Sequence, residues 1–89
     1  MNVCAAIAHN ARTQPHAPAV IEPDRAISYA ELHERVLRTA SALADRGIRS
    51  ADRVAIRLPN SATHLIAQLA LARIGAVSIP LHTAKPADA

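Results

Sequence analysis

Aromatic side chains are almost missing from this chain of 89 residues, which has no Phe, no Trp and a single Tyr, Tyr29. Core packing therefore falls to Ala, Leu, Ile and Val, the bulk of a 51% hydrophobic content. These side chains bury less area than a ring, at roughly 25 cal/mol per Å². A chain of this length buries only about 60–65% of its unfolded surface, so it is expected to be marginally stable on its own.

Cysteine and glycine are equally scarce. Cys4 is the one cysteine, which excludes an internal disulfide and a cysteine metal cluster and suits a reducing, cytoplasmic setting. It reads as a small buried or terminal residue. The two glycines, Gly47 and Gly75, are too few for the phosphate cradles G-x-x-x-x-G-K-[ST] and G-x-G-x-x-G, which need several glycines so that backbone N–H groups can approach the phosphates. No run approaches the roughly 20 apolar residues that span a bilayer. The opening segment has no cationic start, and its apolar run over 3–8 is short for a signal peptide.

Lys plus Arg number 10 against 7 Asp plus Glu, a net charge of +3 with neutral His. Placement decides what that excess means. Glu31 precedes Arg35 by four residues and Glu34 precedes Arg38 by four, the favourable order for pairs along a helix surface. A solvated, internally paired face is expected, and no nucleic-acid surface.

Helical spacing of Ile7, Ala8 and Ala11 predicts a short leading helix over 3–12, stopped by Pro15. Residues 19–21 and 26–27 read as two strands of a hairpin around Glu22-Pro23-Asp24-Arg25. Ser28 and Glu31 form an S-x-x-E capping box, with the hydroxyl accepting from the first turn and the carboxylate reaching back to the cap. The spacing of Leu32, Val36, Ala40 and Leu43 then predicts a helix over 29–46, ended by Gly47. Alternation of Val54, Ile56 and Leu58 predicts a strand over 53–58. Asn60 or Ser61 can cap a further helix carrying Ala62, Leu65, Ile66, Leu69 and Ala72 on one stripe and ended by Gly75; residues 76–80 form another strand. Strand, helix and strand within about 30 residues make a parallel βαβ unit. The fold class is α/β: a short leading helix, a β-hairpin, then a helix and a parallel βαβ unit. Residues 82–89, with Pro86 and no periodicity, read as a loose tail.

Chemistry-bearing residues do not converge. His9, His16, His33, His64 and His82 are scattered without metal-ligand spacing, and none has a positioned partner for general-base work. Ser28, Tyr29 and Glu31 are explained by the cap they build, and Arg73 suits the helix dipole. No catalytic, cofactor-binding or metal-binding residue is assigned.

Two segments carry a resemblance: Ile27-Ser28-Tyr29-Ala30-Glu31-Leu32, and the run from Leu71 through Gly75 and Pro80 to Leu81, L-A-R-I-G-A-V-S-I-P-L. Between them, Asp52-Arg53-Val54-Ala55-Ile56 and Leu58-Pro59-Asn60-Ser61 are similar to a G-D-R-V-A-I…L-P-N-S pattern in which Ala51 replaces the glycine. In that order the segments resemble the N-terminal region of the adenylate-forming superfamily, the AMP-dependent synthetases and ligases that include acyl-CoA synthetases and peptide-synthetase adenylation domains. From His82 the chain departs from the family's usual N-P or D-P continuation.

The resemblance implies that residues 1–89 are a partial N-terminal part of an adenylation domain. The parent family activates a carboxylic acid with ATP to an acyl adenylate and then a thioester, using ATP, Mg²⁺ and CoA or a pantetheine carrier. Its nucleotide loop and catalytic Lys belong to segments beyond those matched here, so no cofactor is expected in this chain and adenylation by it alone is not expected. Two other readings are a non-catalytic module pairing with the remainder of an adenylation domain, or with itself, through exposed sheet edges, and a decayed gene fragment. No membrane span or nucleic-acid partner is expected.

Overall fold

The computed structural model describes residues 3–57 and 61–81. Seven elements follow one another: α1 (Val3–Thr13), β1 (Pro18–Glu22), β2 (Arg25–Ser28), α2 (Tyr29–Asp45), β3 (Arg53–Ile56), α3 (Ala62–Ile74) and β4 (Val77–Pro80). This is the α/β order read from the sequence. The expected strand end at Leu58, the cap at Asn60, and the tail over 82–89 lie outside the described residues.

The hairpin pairs antiparallel with Glu22 opposite Arg25, leaving Pro23-Asp24 as a two-residue turn. The register shifts between Pro18 and Val20, leaving Ala19 as one extra residue on β1. β3 and β4 pair in parallel, from Arg53 opposite Val77 to Ile56 opposite Pro80. They form a sheet separate from the hairpin.

The start of α2 is closed by Ser28 and by two carbonyls that precede the hairpin. Tyr29 N–H donates to Ala17 O at 3.0 Å, Ala30 N–H to Pro15 O at 3.0 Å, and Glu31 N–H to Ser28 Oγ at 3.2 Å. The first three orphan donors of the helix thus find acceptors. One half of the expected capping box differs: the Glu31 carboxylate does not turn back to the cap but takes Arg25 at 3.0 Å and Arg35 at 2.9 Å. Two cationic donors outbid one neutral N–H. At the other end Gly47 (φ +94°) donates to Ala44 O and Ile48 to Leu43 O, a Schellman closure. α3 ends the same way, with Gly75 (φ +91°) bonded to Ala72 O and Ala76 to Leu71 O.

The main core cluster joins Ile7 of α1, Ile27 of β2, Leu32 and Val36 of α2, and Ala62, Ile66 and Leu69 of α3, with Ala19, Val20 and Leu65 packed against it. α2 touches α1, α3 and both hairpin strands, and α3 touches α1, α2 and β4. The apolar stripe of α3 differs from the expected one: Ala72 is exposed, whereas Ala70 and Leu71 are buried, at 0% and 2% exposure. Leu71 lies half a turn round the helix from Ala62, so α3 buries two sides, and a single-stripe reading cannot anticipate the second.

Candidate functional site

The residues that sequence reasoning singled out around Ser28 are brought together, but as a brace. Arg25, Glu31 and Arg35 form one continuous ion pair across the hairpin and the first two turns of α2. Arg38 and Glu34 pair at 2.7 Å one turn further on. The hydrogen bond and charge of Arg38, with Arg35 adding, hold the Glu34 carboxyl below its ordinary range; Glu34 raises Arg38 in turn. Between α2 and α3 a groove of about 590 Å³ is lined by Arg35, Arg38, Thr39, Ala42, Thr63 and Ile66, among others. The positive charge facing it is already matched by Glu31 and Glu34.

A second hollow, of about 550 Å³, lies between the hairpin and the start of α3 and presents Glu22, Ser61, His64 and Gln68 beside Val20 and Leu65. Here Glu22 accepts the Ala62 N–H at 3.3 Å, and the Ser61 side chain makes no cap bond. A carboxylate 40 residues upstream thus does the work expected of Ser61. No local signal could have revealed it, because the pairing exists only after the hairpin folds over α3. His64 Nε2 is buried here without a hydrogen-bond partner among the described residues.

The remaining candidates stay apart. His9 and His16 are exposed and His33 half-buried on α2, while His82 lies outside the described residues. No group of three or more His, Cys, Asp or Glu that could hold a metal exists among the described residues. Cys4, half-buried, donates its thiol hydrogen to Leu69 O at 3.5 Å, tying the first turn of α1 to α3. Gly47 and Gly75 sit at helix C-termini.

Phosphates are bound by free N–H groups at helix N-termini. The first N–H groups of α2 are taken by Ala17, Pro15 and Ser28, and that of α3 by a carboxylate that repels phosphate. These four N–H groups are therefore not available to a phosphate.

One feature is left open. In β3, Ile56 is buried and Val54 half-buried, whereas Arg53, Ala55 and Arg57 face outward. In β4, Val77 and Ile79, followed by Leu81, are 50%, 41% and 40% exposed. A parallel sheet with one bare apolar face is rare in a finished domain, since parallel strands are ordinarily covered on both sides.

The unit is α/β, with three helices, a hairpin and a parallel pair whose outer face is uncovered. The chain belongs to the AMP-binding enzyme family, whose sequence pattern matches residues 7–89. It is 38% identical over 84 residues to enterobactin synthase component F of Shigella flexneri, covering 94% of this chain and 7% of that protein. It is 44% identical over 72 residues to feruloyl-CoA synthase of an Amycolatopsis species, covering 81% and 15%. Among solved structures, the N-terminal subdomain of Klebsiella oxytoca NpsA superposes with a TM-score of 0.86 at 32% identity, over 94% of this chain and 22% of that one. A Mycobacterium tuberculosis fatty acyl CoA synthetase gives 0.85 at 30% identity, over 98% and 18%. The chain thus spans less than a quarter of each of these relatives. No helix among the described residues is long and apolar enough to cross a membrane.

Proposed function

We propose that these residues are the N-terminal part of an AMP-forming acid–thiol ligase, acting as scaffold rather than as catalyst. The complete enzyme would join a carboxylic acid to the α-phosphate of ATP, releasing pyrophosphate, and pass the acyl group to CoA or a carrier pantetheine in the cytosol. The observation that carries this reading is the close superposition on part of the N-terminal subdomain of Klebsiella oxytoca NpsA. Relatives named as a nonribosomal peptide synthetase and as feruloyl-CoA synthase support the same reaction class.

The 89 residues alone would not adenylate, a reading supported by the first N–H groups of α2 and the Ala62 N–H of α3 being taken from within the chain. Their partner is the polypeptide that completes the domain. The test is acid-dependent pyrophosphate release from ATP, measured on the 89-residue chain and on whatever species an antibody against residues 29–46 isolates from source cells, with its intact mass. Activity only in a heavier species, or in a complex with a second polypeptide, is the expected result. Pyrophosphate release by the 89-residue chain itself would overturn the scaffold reading. A 9.4 kDa species without partner or activity would leave a decayed gene fragment as the better account.

A further inference from the structure

We draw no further inference here: the strongest candidate, the hollow between the hairpin and the start of α3, carries nothing, because its Glu22 carboxylate already accepts the Ala62 N–H, the His64 Nε2 that lacks a partner among the described residues is sealed from anything that could enter, and nothing in the structure shows what covers the apolar remainder.

Discussion

The two long helices, α2 and α3, run past each other in the same core and are built on opposite plans. α2 buries one stripe, Leu32, Val36 and Ala40, and gives the rest of its surface to ion pairs with close neighbours. Its cap is the residue immediately before it. α3 buries two sides, carries a single charged residue, Arg73, and takes its N-terminal cap from Glu22 in the hairpin. A helix organised by i,i+4 rules can nucleate from its own sequence, whereas α3 depends on partners that arrive from elsewhere in the chain.

The strongest way to break this comparison is Leu71→Ala. Removing a side chain with 2% exposure from the second buried side of α3 should cost about 2–5 kcal/mol, enough to unfold a chain of marginal stability. Loss of the cooperative transition in thermal circular dichroism checks it. Next come the two Schellman glycines. A Cβ at Gly75 would meet Ser50 Oγ at 2.8 Å as well as the positive φ, whereas nothing lies within 4 Å of one at Gly47. Gly47→Ala should cost about 1 kcal/mol for the left-handed conformation alone, and Gly75→Ala visibly more. Adding Ser50→Ala should return Gly75→Ala to the Gly47→Ala level in urea denaturation.

The caps sharpen the contrast. Ser28→Ala should cost about 1 kcal/mol. Glu22→Gln should cost a similar or smaller amount, about 0.5–1 kcal/mol, since its carboxylate serves the α3 dipole, but its loss should fall on amide exchange at the start of α3 and not of α2. Ala51 is a position of opposite sign. It stands at φ +73°, in the left-handed region that costs a non-glycine residue about 1 kcal/mol or more, and its N–H is held by Gly75 O at 2.9 Å. Ala51→Gly should therefore stabilise the chain by roughly 0.5–1 kcal/mol after the entropy lost by glycine, seen as a higher urea midpoint.

The smallest effect belongs to the Glu34–Arg38 pair. Because Arg38 holds the Glu34 carboxyl below its ordinary range in the folded chain, the pair's contribution is present above the unfolded carboxylate pKa and is lost as pH falls through the lower folded value. Stability of the native chain and of Glu34→Gln should therefore differ slightly at neutral pH and converge in acid. Both groups are fully exposed, so 1 M salt should erase the difference.

Legibility followed the reach of each interaction. The two salt bridges of α2, its Ser28 cap and both glycine ends were readable because each partner lies within six residues of the other. The hairpin turn and the parallel β3–α3–β4 unit were readable from punctuation by Pro23, Gly47 and Gly75. The Glu22 cap on Ala62, the burial of Leu71 and the contact of Ser50 with Gly75 were not, because each joins segments more than 20 residues apart or depends on which neighbours surround a helix. The left-handed Ala51 lies between these cases: the sequence marked it as the residue replacing a glycine, and the structure gave the reason a glycine belongs there.

For the candidate site the division is similar. The chain by itself determined the family, since the ordered motifs from Ile27 to Leu81 survive as text, and it determined that no glycine-rich phosphate loop is encoded in these 89 residues. Only the tertiary structure decided that the first N–H groups of α2 and the Ala62 N–H of α3 are already taken, and that Arg53 and Arg57 border a bare apolar face. Those facts depend on which backbone donors remain unpaired and which strand faces remain uncovered, and packing alone settles both.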